Sequence, residues 1–133
     1  MRADTRSISI DRSPPELVRF LADPANLPRW AVGFAKSVRQ EAGRWYVQTA
    51  GGEIALRIAS DAASGVVDYW MSPAADVEVL AASRVVPRGV GSEYVFTQFQ
   101  LPGMSDPDFA RSVQALQHEL TVLKAIAEVD CPR

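Results

Sequence analysis

The fold is decided by a segment near the C-terminus that reads SDPDFARSVQALQHELTVLKAIA over residues 105–127. Its first four residues combine a serine, two aspartates and a proline, which cap the start of a helix and oppose the positive end of its dipole. Apolar residues then recur at helical spacing, at Phe109, Val113, Leu116, Leu120, Leu123 and Ala127. The spacing predicts one buried stripe along a long helix. Burying its five large side chains would stabilise the fold by roughly 7 to 15 kcal/mol, as an upper bound.

The stripe needs a surface to pack against, and residues 34–100 supply one because their apolar residues follow a period of two. The alternation is clearest at Ile54, Leu56 and Ile58, and turn signals separate the segments. Six strands are predicted, at residues 34–40, 44–49, 53–60, 66–71, 76–86 and 92–100. Their short connections favour sequential antiparallel hairpins.

The N-terminal part predicts one more strand and two short helices. Residues 7–10 alternate with β-branched isoleucines, which indicates a strand. Ser13 and Glu16 flank two prolines in the pattern of a capping box, so a helix begins there. Asp23 precedes a proline that ends this helix, and a second one is predicted over residues 25–30. The order predicts an α+β fold: a curved seven-stranded antiparallel sheet, two short helices after strand 1 and a long C-terminal helix.

Composition and charge favour a single domain over residues 1–133 and exclude several classes of function. The chain is 47% hydrophobic and 23% charged, as in ordinary globular proteins, and no linker or repeat interrupts it. Its net charge of −2 comes from 14 basic and 16 acidic residues mixed along the chain, so nucleic acid is not expected as a partner.

Membrane, metal and redox functions are not predicted either. No apolar run approaches the roughly 20 residues that span a bilayer, and the N-terminus leads into no signal sequence, so we expect a cytoplasmic protein. With only His118 and a terminal Cys131, which we interpret as an inert thiol, the chain predicts no metal site and no cofactor.

Three stretches carry a resemblance to a known family. They read SIDRSPPELVRFLADP (9–24) with LPRW (27–30), GVVDYWM (65–71), and GSEYVFT (91–97) followed by LPGMSD (101–106). With the order of elements, they resemble bacterial SRPBCC proteins of the START-like, Bet v 1-like helix-grip fold, which are often labelled polyketide cyclase/dehydrase-like or lipid-transport-like. The position of Tyr69 is often histidine in those relatives, so the chain departs from them where a polar pocket group would lie.

The resemblance implies a cavity between the sheet and the terminal helix, reached through loops near the short helices. Small residues such as Ala81 and Ala82 also favour unfilled space, while the alternative is that Trp45, Tyr69, Trp70 and Phe109 fill it. The side chains predicted to contact a ligand are Trp30, Phe34, Tyr69, Met71, Tyr94, Phe96, Met104, Phe109, Val113 and Leu116.

Few residues suggest catalysis. His118 is expected to face solvent because it lies away from the helical stripe. Asp68 lies in an apolar strand. It either faces solvent or pairs with Arg57 or Arg84 on a neighbouring strand, or it faces the cavity as a general base. Together with Tyr69 and Tyr94, it is a weak candidate for proton transfer.

The leading hypothesis is a protein that binds a small hydrophobic or aromatic, lipid- or polyketide-like ligand in the cavity. One alternative is a cyclase or dehydratase, which would use Asp68, Tyr69 or Tyr94. Another is an interaction module like the Aha1-like co-chaperones of the same fold, or a homodimer, through an apolar patch of Ala115, Val122 and Ile126.

Overall fold

The computed structural model describes residues 2–130, apart from the side chain of Asp130, and Cys131 lies outside this range. Seven strands and three helices are connected as predicted. The strands are β1 (Ala3–Ile10), β2 (Ser37–Glu41), β3 (Arg44–Thr49), β4 (Gly52–Asp61), β5 (Val66–Ala74), β6 (Val77–Arg88) and β7 (Gly91–Phe99). The helices are α1 (Pro14–Ala22), α2 (Leu27–Trp30) and α3 (Asp106–Asp130), with a 3-10 turn (Pro24–Asn26) before α2.

The strands form one antiparallel sheet in the order β1-β7-β6-β5-β4-β3-β2. Strands β2 to β7 follow one another as hairpins, and β1 pairs with β7, so that the first and last strands are neighbours. With α3 packed along the curved sheet, this is the predicted α+β helix-grip fold.

Only β3 has the predicted boundaries; β4, β6 and β7 differ by one or two residues, β5 continues to Ala74 instead of ending at residue 71, and the largest shifts are at the starts of β1 and β2. β1 begins at Ala3 instead of residue 7, because its pairing with β7 continues to Phe99. β2 begins at Ser37, not residue 34. The backbone amides of Phe34 and Ala35 both donate to the carbonyl of Ala31, which holds this segment in a turn.

The starts of α1 and α3 were predicted at the correct residues, but one cap forms differently, and α2 begins at Leu27 because a 3-10 turn occupies the first residues of its predicted range. Ser105 Oγ accepts from the Asp108 amide at 3.1 Å, as expected at the start of α3. At α1, the Ser13 hydroxyl donates to Glu16 Oε1 at 3.0 Å and makes no bond to a backbone amide. The prediction of a complete capping box is therefore wrong, because the Ser13 hydroxyl bonds the Glu16 carboxylate instead of the amide of the third helical residue.

The helical stripe is buried as predicted. Phe109, Leu116, Leu120, Leu123 and Ala127 are buried and Val113 is half-buried. No helix in the described part of the chain combines the length and the apolar character needed to span a bilayer.

The C-terminal half of α3 is also held by polar contacts to the turn between β1 and α1. The Arg12 guanidinium donates to the carbonyls of Ala127 and Glu128 at 2.9 and 2.7 Å. Lys124 Nζ donates to the Ser9 carbonyl and to the Glu128 carboxylate at 2.9 and 2.6 Å. These cations lie at the negative end of the helix dipole, so they fix this half of α3 to the sheet.

Candidate functional site

A cavity of about 300 Å³ separates the N-terminal half of α3 from the concave face of the sheet. For comparison, an apolar cavity of about 150 Å³ in an engineered protein holds benzene. The sheet lines it with Leu56, Tyr69, Met71, Val79, Leu80, Ala81, Phe96, Gln98 and Phe99. The rest of the lining is Leu27, Trp30, Ala31, Gly33, Phe34, Leu101, Met104, Ser112, Ala115, Leu116 and Glu119.

Most of the side chains predicted to contact a ligand are brought together by this cavity. Seven of the ten line it: Trp30, Phe34, Tyr69, Met71, Phe96, Met104 and Leu116. The alternative, in which four aromatic residues fill the space, is not what the structure shows, because the space remains open. Phe109 lies outside the cavity lining. Trp70 stacks under Arg57, whose guanidinium carbon is 5.4 Å from the centroid of the Trp70 ring.

Tyr94, Phe109 and Val113 do not line the cavity, contrary to prediction. Tyr94 is completely buried beyond Trp30 and Phe96, with ring centroids 6.4 and 6.2 Å away. Phe109 and Val113 belong to the stripe that packs on the sheet. The helix face that borders the cavity is rotated from this stripe: it shares Leu116 with the stripe and adds Ser112, Ala115 and Glu119.

The two tyrosine hydroxyls are engaged in structural hydrogen bonds. Tyr69 donates to the carbonyl of Leu21 at 3.0 Å. Tyr94 donates to Ser83 Oγ at 2.9 Å, and that hydroxyl donates in turn to the carbonyl of Val67. Burial raises the pKa of both tyrosines above the ordinary value. Both phenols therefore remain protonated near neutral pH and bind main-chain or serine oxygens, which gives no support to a role in proton transfer.

Asp68 lies on the outer face of β5, since its neighbours Val67 and Tyr69 are buried on the inner face. It is absent from the cavity lining, so the interpretation as a general base facing the cavity is wrong. The outward orientation agrees with the other alternative, and the two arginines named in it have other partners. Arg57 pairs with Glu78 at 3.4 Å, and Arg84 donates to the carbonyl of Ser64 at 3.1 Å.

Glu119 is the polar residue of the site that the sequence analysis missed. Its side chain lines the cavity although it is only 6% exposed. Oε2 accepts hydrogen bonds from the amides of Gly33 and Phe34 at 2.9 and 3.1 Å, which ties the turn after α2 to α3. A sequence signal existed, because Glu119 lies three residues after Leu116 and borders the apolar stripe. The adjacent His118 is exposed, as predicted.

The environment of Glu119 favours its neutral form. Burial raises the pKa of the carboxyl group, and the two amide hydrogen bonds and nearby His118 offset this only in part. A carboxyl whose pKa is higher in the folded than in the unfolded state stabilises the fold when protonated. That contribution is fully present below the unfolded pKa and is lost as the pH rises through the folded pKa.

We therefore expect Glu119→Gln to change how stability depends on pH. As the pH rises from about 4.5, the ordinary glutamate pKa, towards neutrality, the wild type should lose stability relative to the variant. Urea unfolding at several pH values measures this difference. Glu128→Gln is the control on the same helix, because the hydrogen bond from Lys124 lowers the pKa of Glu128 and its effect should have the opposite sign. Parallel pH profiles for the two variants would contradict the assignment.

The described residues contain no group of three or more histidine, cysteine, aspartate or glutamate side chains placed to hold a metal ion. Neither lysine, arginine nor histidine lines the cavity in this part of the chain. Its polar groups come from Glu119, Gln98, Ser112 and the main chain, while the remainder is apolar or aromatic.

Comparison with known proteins identifies the fold. The sequence matches no family model and no curated protein. The structure is similar to that of XoxI from Bacillus cereus, with a TM-score of 0.73 and 18% identity over 98% of this chain and 97% of the other. It is also similar to the Aha1 dimer from Colwellia psychrerythraea, with a TM-score of 0.73 and 14% identity over 97% and 98% of the two chains.

A third similar structure is the di-domain ARO/CYC protein BexL from the BE-7585A biosynthetic pathway. The TM-score is 0.70 and the identity 21%, over 97% of this chain and 47% of BexL. The three likenesses confirm the predicted helix-grip fold. At these identities they show the fold alone.

Proposed function

We propose that this protein binds a small hydrophobic ligand in the cavity between α3 and the sheet. The observation that carries the proposal is the cavity itself, about 300 Å³ of space that remains open among large apolar and aromatic side chains. Protein interiors are normally close-packed, and an unfilled apolar space deprives its lining of dispersion contacts. A ligand that fills the space restores those contacts and removes its own apolar surface from water.

The lining also supports an aromatic or polyketide-like ligand. Trp30, Tyr69 and Phe96 meet at ring-centroid distances of 6.4 Å, which forms an aromatic wall. A flat ring can stack on or meet the edges of such side chains more favourably than a saturated chain can. The similarity to an ARO/CYC protein of a biosynthetic pathway is consistent with this class of ligand.

Filling the cavity from the sheet should weaken ligand binding. Ala81 lines the cavity, whereas Ala82 follows it on the opposite face of β6, so Ala81→Phe and Ala82→Phe add the same side chain to the two faces. We expect Ala81→Phe to bind the neutral fluorescent probe N-phenyl-1-naphthylamine at least about tenfold more weakly than the wild type does, a loss of about 1.4 kcal/mol. Ala82→Phe should bind it within about twofold of the wild type.

Fluorescence titration of the wild type and both variants measures these affinities, and thermal unfolding establishes that each is folded. Equal affinities for the two variants would place the probe outside the cavity. Failure of the folded wild type to bind the probe would remove support for the proposed function.

A cyclase or dehydratase is the second candidate, and one observation favours it. Among the carboxyl groups of the described residues, only that of Glu119 both lines the cavity and has a raised pKa. Both properties are expected of a general acid or base. Such an enzyme would use Glu119 in place of Asp68, Tyr69 or Tyr94. Loss of turnover with retained ligand binding in Glu119→Gln would distinguish it from a binding protein.

The structure gives less support to an interaction module. Val122 and Ile126 are half-buried and pack against the core, and Ala115 lines the cavity. These three residues therefore do not form the free apolar patch that such a module or a homodimer was predicted to use.

A further inference from the structure

The polar groups of the cavity are asymmetric in hydrogen-bonding character. One of the two N–H donors of Gln98 Nε2 is already used, because it donates to the carbonyl of Ser112 at 3.3 Å. The hydroxyl of Tyr69 is also used, in its bond to the carbonyl of Leu21. Glu119, in contrast, presents a carboxyl group, which in its ionised form only accepts hydrogen bonds.

The two carboxyl oxygens of Glu119 differ in what they bind. Oε2 accepts from the amides of Gly33 and Phe34, which fixes the side chain in one position. Oε1 accepts no hydrogen bond from any residue between positions 2 and 130. Oε1 is open to the cavity, so a ligand that fills the space displaces solvent from it, and a ligand without a donor leaves this acceptor unpaired at a cost.

The charge of the cavity lining also disfavours an anionic ligand. No lysine, arginine or histidine among the described residues borders the cavity, so no cation is available to neutralise a bound anion. A ligand carboxylate would have to be desolvated beside the carboxyl group of Glu119, and like charges repel strongly in a medium of low dielectric constant.

We propose that the ligand is an apolar molecule with a hydrogen-bond donor, an alcohol, phenol or amine, that donates to Glu119 Oε1, and that the site selects against carboxylates. This inference rests on the proposed function, since it names the ligand class of the same cavity. A site that hydrogen-bonds one ligand group discriminates against an analogue that lacks the group, because the buried protein atom then remains unpaired.

Three probes of equal size test the proposal. They are 1-(2-naphthyl)ethanol, which has a donor, 2-acetonaphthone, which has only an acceptor, and 2-naphthoate, which is an anion at pH 8. Each is used to displace N-phenyl-1-naphthylamine from the wild type. We expect the alcohol to displace it at a concentration about tenfold lower than the ketone, as one hydrogen bond to a charged group provides. The carboxylate should require a still higher concentration.

Glu119→Gln should change the ranking of the three probes. The glutamine oxygen can still accept from the amides of Gly33 and Phe34, while its NH₂ group now donates where Oε1 accepted. We therefore expect the ketone and the carboxylate to bind at least as well as the alcohol. Glu128→Gln, which alters a carboxylate outside the cavity lining, should keep the wild-type ranking. A role of Glu119 in stability alone would leave the ranking unchanged.

The outcomes separate the inference from the function on which it rests. Equal affinity of the wild type for the alcohol, the ketone and the carboxylate would overturn the inference, as would a wild-type ranking in folded Glu119→Gln. The proposed function would survive either result, provided that Ala81→Phe still blocks the fluorescent probe. If the wild type does not bind that probe, the proposed function fails first, and the inference fails with it.

Discussion

Replacing Gly65 by alanine should lower the free energy of unfolding by at least about 4 kcal/mol, the range reached only by severe mechanisms such as backbone clash or strain. Gly65 has a φ of +82°, and an added Cβ would lie 2.0 Å from the carbonyl oxygen of Val85. That contact cannot be relieved by a rotamer change, because the obstacle is backbone. The carbonyl of Gly65 also accepts from the Val85 amide at 2.7 Å, so moving the two chains apart breaks a hydrogen bond.

Gly43→Ala is the matched control for this substitution. Gly43 has nearly the same backbone angle, with a φ of +78°, but an added Cβ would meet nothing within 4 Å. The substitution should lower the free energy of unfolding by only about 1 to 2 kcal/mol, which is the cost of holding alanine in a left-handed conformation. Denaturant unfolding of the two variants separates the clash from the conformational preference. If the two substitutions differ by less than about 1 kcal/mol, close packing of Gly65 on β6 is not what stabilises this turn.

Gly65 matters for the site because it sets the start of β5. Val66, the next residue, pairs with Arg84, and from there the alternation places Tyr69 and Met71 on the concave face. A shift of one residue would turn both away from the cavity and bring Asp68 into it. The turn therefore determines which of the two orientations of this strand forms, an alternative that the sequence pattern alone left open.

Much of the fold could be predicted because local patterns and tertiary packing agree. The apolar stripe of α3 indicates which face of the helix is buried, and the period of two does the same for the strands. The short turns between the strands are compatible with few connections other than hairpins. The errors lie at boundaries. Phe34 and Ala35 were assigned to a strand by their apolar character, whereas the hydrogen bonds of their amides to Ala31 hold them in a turn.

The site could be predicted only in part, because a cavity is the region where packing is incomplete. A buried stripe identifies the helix face that touches the sheet, so it suggested Phe109 and Val113, which pack there and leave the cavity to a neighbouring face. Glu119 was missed because its partners are backbone amides of a distant turn. Nothing in the local pattern of α3 indicates that those amides lie within 3.1 Å of its carboxylate.

The difference between the two halves of α3 leads to a second large effect. Leu123 is fully buried at 0% exposure, whereas Leu116 is 5% exposed and borders the cavity. Leu123→Ala should lower the free energy of unfolding by about 3 to 5 kcal/mol, because its removal creates a new void in a close-packed region. Leu116→Ala should cost only about 2 to 3 kcal/mol, since that side chain already lacks neighbours on one side.

The two truncations should separate stability from ligand size. Leu116→Ala enlarges the existing cavity, so it should bind ligands larger than N-phenyl-1-naphthylamine better than the wild type does. Leu123→Ala, wherever it remains folded, should keep the wild-type affinity, because Leu123 lies outside the lining. Denaturant unfolding and probe titration of both variants measure the two effects. Equal losses of stability with equal changes in affinity would mean that α3 is packed uniformly. The expected division means that its C-terminal half anchors the helix and its N-terminal half forms a wall of the binding cavity.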